Sequence, residues 1–150
     1  MGIGEESAIL IIGGTGGVGG ALIEDFHGQI SESTLATYRT GKPSTTTDAW
    51  YYYDSNDLES IENVLNEISQ NYKLQMIIDA SGYFFASSIS KSDPSILREV
   101  IQVNLVAPLV LARKALEILE PGGSLVLFSS IVSQNDIYGS SAYAASKLGL

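Results

Sequence analysis

The sequence predicts an α/β fold, a parallel sheet doubly wound by helices on both faces. Three observations carry this. Strand-like and helix-like stretches alternate along the chain. The first, Ala8-Ile9-Leu10-Ile11-Ile12, is wholly apolar and β-rich, as suits a central strand covered on both faces. It runs into a loop that holds six of the chain's fifteen glycines, between Gly13 and Gly20.

Composition sets the outer bounds. The chain has 150 residues, a length that fits one domain, 1–150, with a real core. A hydrophobic share of 45% argues against global disorder, and a charged share of 17% leaves room for elements buried on two faces. There is no cysteine and a single histidine, His27. That excludes a disulfide scaffold and a thiolate metal site, and argues against a histidine metal centre or a Ser-His-Asp triad, so no metal is expected. A net charge of -9 with only eight Lys and Arg speaks against a nucleic-acid or anionic-membrane partner. The start, Met1 to Ser7, is acidic where a secretory leader is basic, and Glu6 stands where a myristoylation signal needs a hydroxyl. The longest apolar run, Leu105 to Ala112, is too short for a bilayer. A cytoplasmic protein is expected.

The elements follow in order. Val18 to His27 reads as a helix that begins inside the glycine loop. Thr34 to Tyr38 is the second strand, broken by Arg39-Thr40-Gly41-Lys42-Pro43. Ala49 to Tyr53 is an aromatic strand. Leu58 to Ser69 places Leu58, Ile61, Val64, Leu65 and Ile68 at helical spacing. Leu74 to Ala80 is another buried strand. Ser95 to Leu119 reads as one long helix kinked at Pro108. Pro121-Gly122-Gly123 is a turn, Ser124 to Phe128 the fifth strand, and a last helix begins near Ser141. Right-handed crossovers, together with the order usual in doubly wound sheets of this kind, then give the strand order 3-2-1-4-5.

The position of the glycine loop gives it a physical task. Between an apolar strand and a helix, one glycine permits the tight turn, one lets the backbone approach a pyrophosphate, and one lets helix and strand pack closely. The helix start offers free N–H groups and the positive end of its dipole. Gly13, Thr15, Gly16, Gly17, Val18 and Gly19 are the expected cofactor contacts, the alternative being a merely flexible turn. An NAD site normally places Asp or Glu at the end of the second strand. Here Arg39 stands there with Lys42 close by, and no acid lies between Ser33 and Thr47. A guanidinium can grip a 2′-phosphate bidentately, so NADP(H) is favoured over NAD(H). The alternative is that both are ordinary loop cations. Asp54 is placed either to accept a hydrogen bond from an adenine amino group or to cap a turn or helix.

Tyr143-Ala144-Ala145-Ser146-Lys147 is the second signal. On a helix, positions i and i+4 share a face, so phenol and ammonium can be neighbours. A phenol titrates near 10 in water, too high for efficient proton exchange at neutral pH, and a nearby cation favours the phenolate. Lowering it by about three units needs roughly 4 kcal/mol of differential stabilisation. Tyr138 is the rival phenol, but its i+4 position is Ala142. Ser130 closes the fifth strand, thirteen residues before Tyr143, and Asn104 lies in the long helix, one turn before Pro108.

With these residues together, the chain resembles a classical short-chain dehydrogenase/reductase from Ile9 to Lys147. The family's T-G-x-x-x-G-x-G motif is matched by Gly13, Gly17 and Gly19, with Ile12 in place of threonine. Its catalytic Asn, Ser, Tyr and Lys are matched by Asn104, Ser130, Tyr143 and Lys147. Its Asn-Asn-Ala-Gly segment is matched loosely by Asp79-Ala80-Ser81-Gly82, so Ala80, Ser81 and Gly82 are expected beside the cofactor. The resemblance implies a Rossmann-type sheet and reversible hydride transfer between NADP(H) and a carbonyl or secondary alcohol, for example in a 3-oxoacyl reductase. It assigns Tyr143 the proton, Ser130 the substrate oxygen, Lys147 the nicotinamide ribose and the tyrosine pKa, and Asn104 a water that refills the proton. Ser133 and Tyr83 are expected to face the substrate.

Two alternatives remain open at this stage. Gly13, Gly16 and Gly19 also fit the G-x-x-G-x-x-G pattern of the family's extended branch, with its epimerases and dehydratases. The Ser130–Tyr143 spacing and Asn104 favour the classical branch. A non-catalytic NADP(H)-binding regulatory protein would need neither Ser130 nor Tyr143. Family members usually pair through the two helices here given as Ser95 to Leu119 and the one with Tyr143, which implies a homodimer or homotetramer. They also continue past the lysine. The C-terminal strands are therefore expected to be absent, with the fifth strand an open edge and the chain alone poorly active and prone to associate.

Overall fold

The structure, a computed structural model, describes residues 6–40, 47–134 and 138–150. Lys42 lies outside the described residues, so the reading of that cation stays with the sequence. Five parallel strands form one sheet in the order β3-β2-β1-β4-β5, as expected. They are β1 (Ser7–Ile12), β2 (Ser33–Tyr38), β3 (Ala49–Tyr52), β4 (Lys73–Asp79) and β5 (Leu119–Leu127). Leu10 of β1 stands opposite Leu35 of β2 on one side and Ile77 of β4 on the other. This central place explains the unbroken apolar run, because Ala8, Leu10, Ile11 and Ile12 are all fully buried.

Side chains alternate between two cores. On one face Ala8, Leu10, Ile12, Leu35 and Ile77 pack with Ile61, Leu65 and Ile68 of α2 (Leu58–Asn71) and Leu111 and Ala115 of α4 (Ala107–Ile118). On the other, Ile9, Ile11, Ala36 and Ile78 pack with Ile23 of α1 (Gly17–Phe26), flanked by Trp50. The apolar stripe of α2 faces the core as its spacing predicts, with Ile61, Val64, Leu65 and Ile68 buried. Asp57 caps this helix, accepting from the amides of Glu59 at 3.1 Å and Ser60 at 3.2 Å. Asp57→Ala is expected to cost about 1 kcal/mol in urea denaturation, through the amides left unpaired.

The long helix departs from expectation. It comprises α3 (Pro94–Ile101), a π-helical turn (Gln102–Val106) and α4 in continuous succession. The irregularity lies before Pro108 and is a widened turn, in which Ala107 N–H donates to the carbonyl of Gln102. The cause is local. Pro108 has no N–H to offer the carbonyl of Asn104, so the α-helical ladder is interrupted there in any case. By length and hydropathy Pro94–Ile118 is one helix that would suit a membrane, but here Val100, Val103, Ala107, Leu111 and Ala115 are buried inward.

β5 also begins earlier than expected. Leu119 already pairs with Leu74, and pairing resumes at Ser124 opposite Met76. The turn at Pro121-Gly122-Gly123, with Gly122 at φ +87°, is thus an excursion inside a strand. Pairing through the backbone let Leu119 join the edge whatever its side chain. The last helix, α5 (Ser141–Gly149), packs against α3 and the π turn.

Candidate active site

The parallel strands end together at Ile12, Tyr38, Tyr52, Asp79 and Leu127, and the order reverses between β1 and β4. A ligand crevice is expected at such a switch point. Two adjoining spaces open there. One, of about 440 Å³, is bordered by Gly13, Thr15, Gly16 and Arg39 on one side and by Ala80, Ser81 and Gly82 on the other. The second, of about 330 Å³, shares Ala80, Ser81 and Gly82 and adds Val18, Phe84, Ser129, Tyr143 and Lys147.

The glycine loop is tied to β2. Gly13 N–H donates to Thr37 Oγ1 at 3.0 Å and Gly14 N–H to the Thr37 carbonyl at 2.9 Å. Gly13 has φ +78°, the left-handed region that glycine enters freely. At Gly19 the demand is steric, since a Cβ would lie 2.3 Å from the Gly13 carbonyl oxygen. Helix and turn therefore close onto each other there. Gly17 meets nothing within 4 Å, so nothing in this chain's own packing requires it to be glycine. The first turn of α1 has no side-chain cap and no acidic residue. Its amides remain free to bind an anion. An uncapped helix start, a closed-down turn and an exposed Arg39 around one cavity fit a dinucleotide phosphate.

Asp54 Oδ1 accepts from Asn56 N–H at 2.9 Å in the turn before α2. It does not border the first space, whereas its neighbours Tyr53 and Ser55 do. Tyr53 and Thr37 were not singled out in the sequence. The strand-end position of Thr37, facing the glycine loop, was the available signal.

Lys147 is buried, and its Nζ donates to the carbonyl of Phe128 at 2.8 Å. Burial pulls its pKa below the usual lysine range, and the Asp79 carboxylate pushes it back up. Asp79, also buried, is raised above the ordinary carboxylate range by desolvation, opposed by Ser81 and by Lys147. Tyr143, one turn before Lys147, is half-buried, and the Phe84 ring meets it edge-on with centroids 5.0 Å apart.

Asn104 is fully buried, and both ends of its amide are engaged. Its Oδ1 accepts from Tyr83 N–H at 2.9 Å and its Nδ2 donates to the Tyr83 carbonyl at 2.8 Å. It therefore clamps the segment after β4 onto the π turn. Ser130 Oγ accepts from Val132 N–H at 3.3 Å at the head of a short 3-10 turn. Ser129, passed over in the sequence, borders the second space and donates to the Lys147 carbonyl at 2.9 Å. Ser133 donates to the Ser130 carbonyl. His27 caps the C-terminus of α1, away from these spaces. Among the described residues no cluster suits a metal ion.

A five-stranded parallel sheet in this order, with a glycine turn at its switch point, defines a nucleotide-binding protein of Rossmann type. A family model described as short chain dehydrogenase matches residues 7–150, and the chain belongs to that family of oxidoreductases. A hydroxynaphthalene reductase of Aspergillus fumigatus is 27% identical over 92 residues, which cover 61% of this chain and 34% of that protein. Among solved structures, a short chain dehydrogenase of Burkholderia cenocepacia in complex with NADP aligns at TM-score 0.86 and 22% identity, over 95% of this chain and 63% of the other. BdcA in complex with NADPH aligns at TM-score 0.84 and 20% identity, over 97% and 61%. The chain thus spans about three fifths of the length of the structures it matches.

Proposed function

We propose that the protein reduces a carbonyl compound, or oxidises the matching secondary alcohol, with NADP(H) favoured over NAD(H). One observation carries the proposal: Tyr143 and Lys147 border a space that shares Ala80, Ser81 and Gly82 with the cavity at the glycine loop. When bound, the nicotinamide supplies or takes up the hydride. The amides at the start of α1 hold the pyrophosphate, and Arg39 takes the 2′-phosphate. Lys147 holds the ribose. Tyr143 hands its proton to the developing alkoxide, and the Ser130 hydroxyl steadies the same oxygen by donating a hydrogen bond. Asn104 acts through the backbone of Tyr83, which it fixes beside the cavity.

The exposed face of Phe84 makes one wall next to Tyr143, a surface suited to flat, apolar carbonyl compounds. The name of the A. fumigatus relative agrees with such a substrate. Loss of nicotinamide absorbance across a panel of 3-oxoacyl thioesters, aliphatic ketones and aromatic ketones tests the reading, and no oxidation of NADPH by any of them would refute it. Arg39→Asp is expected to lower the NADPH-over-NADH ratio in kcat/KM at least about tenfold, or roughly 1.4 kcal/mol. An unchanged ratio would make Arg39 an ordinary loop cation. A cytoplasmic homodimer or homotetramer remains part of the proposal, with exposed Leu109 and Leu116 on α4 available for a contact between copies.

A further inference from the structure

We propose that Glu99 selects the base of the dinucleotide, its carboxylate accepting a hydrogen bond from the exocyclic amino group of an adenine. This rests on the cavity at the glycine loop being the dinucleotide site.

The borders of that cavity divide it by chemistry. The start of α1 suits the diphosphate, and Arg39 at the end of β2 suits a 2′-phosphate on the adenosine ribose. The adjoining space with Tyr143 and Lys147 suits the nicotinamide. What is left of the first space lies between Ser55, just after β3, and the helical run that carries Glu99 and Val103. Gln102 Nε2 donates to the Ser55 carbonyl at 3.1 Å and ties these two walls together. Val103 is buried and presents an apolar side, as a flat ring requires. Glu99 lies four residues earlier, in α3, and borders the same space.

Among the described residues bordering this space, Glu99 is the only acid. Asp54 does not border it, and its Oδ1 is engaged with the Asn56 amide. The half-buried Glu99 side chain has no hydrogen bond or ion pair with any described residue, Arg39 and Arg98 included. Arg39 thus stays available to a phosphate, and Glu99 to a donor. A hydroxyl such as that of Ser55 both donates and accepts, so it is indifferent to an amino or an oxo group on the base. A carboxylate only accepts. It pairs with the amino group of adenine and meets the oxo group of hypoxanthine or guanine lone pair to lone pair. Glu99 stands at the rim, because it also borders the open groove with Asn56, Leu97 and Arg98. Water reaches it there, which sets the selectivity at the low end of what a hydrogen bond to a charged group supplies, about tenfold.

The test compares NADPH with reduced nicotinamide hypoxanthine dinucleotide phosphate, in which an oxo group replaces the amino group. Fluorescence titrations read both Kd values without turnover. The same pair lacking the 2′-phosphate repeats the comparison, so that the base is read whatever Arg39 does. The parent is expected to bind the adenine form about tenfold more tightly or better. In Glu99→Gln the ratio should fall to within about twofold of unity, because a carboxamide can turn either its carbonyl or its NH2 toward the base. Asp54→Asn should keep the parent's ratio. Both ligands titrate one preparation, so a misfolded fraction lowers both alike and leaves the ratio intact. A parent ratio near unity, or a parent ratio retained in Glu99→Gln, overturns the proposal. A ratio lost in Asp54→Asn and kept in Glu99→Gln places the acceptor at Asp54 instead. If none of these dinucleotides binds, the cofactor reading of the cavity falls and the proposal with it. If all bind without regard to the base, the proposal alone falls.

Discussion

Tyr143→Phe is expected to reduce carbonyl turnover by about a thousandfold or more, while the Kd for NADPH changes by less than about twofold. Removing a positioned general acid typically costs two to four orders of magnitude, or about 3–5 kcal/mol of transition-state stabilisation. The substitution deletes one oxygen and leaves the ring. The edge-on contact with Phe84, at 84° between ring planes, needs only that ring, so the local packing should survive. Initial rates of NADPH oxidation and a fluorescence titration of NADPH separate the two effects. Turnover at the parent's rate in the variant would remove Tyr143 from the mechanism. A parallel collapse of NADPH binding would show that the phenol holds cofactor and not only substrate.

The second large effect lies in the glycine loop. In Gly19→Ala the new methyl carbon would sit 2.3 Å from the Gly13 carbonyl oxygen, 2.8 Å from its carbonyl carbon and 2.9 Å from Gly14 Cα. All three are backbone atoms, so no rotamer change relieves the clash. The turn has to move off α1, and the expected loss is about 3 kcal/mol in urea denaturation, with NADPH binding weakened at least about tenfold. Gly17→Ala supplies the contrast. It is helical and meets no atom within 4 Å, so the same substitution should leave stability unchanged or raise it by up to about 1 kcal/mol. If Gly17→Ala nonetheless weakens NADPH binding, that glycine serves the approach of the ligand. Equal stability losses in the two variants would contradict this account of the loop.

Much of the fold was legible because its signals are local. The apolar run of β1, the five-residue stripe of α2 and the turn at the glycines each show within a short window, and each lies where expected. The long helix is disturbed too, but in another place and form: a π turn before Pro108 in place of a kink at it. The missing N–H of Pro108 is visible in sequence, but where the surplus residue is absorbed depends on which side chains must face the sheet. Leu119 escaped notice because strand pairing uses backbone atoms, and the glycines that follow it read as a terminus. At the site, Tyr143 and Lys147 were legible as a pair from their spacing, and both border the second space, whereas Ser130, taken for its distance to Tyr143, borders neither space. Ser129 was set aside as the neighbour of Ser130 and Thr37 did not stand out, since a hydroxyl in a row of Ser and Thr reveals nothing about the direction in which it points.

The sequence by itself determined the α/β architecture, the strand order and membership of a nucleotide-binding family. Periodicity and glycine content bias each segment toward one backbone form, and a right-handed crossover then leaves few ways to assemble them. Only the tertiary structure decided which glycine has no room for a methyl, that both ends of the Asn104 amide close on Tyr83, and that the Lys147 ammonium reaches the Phe128 carbonyl. These are relations between residues far apart along the chain. They follow from the register of β4 against β5 and from the seat of α5 beside the π turn, and no pattern within a single window encodes either one.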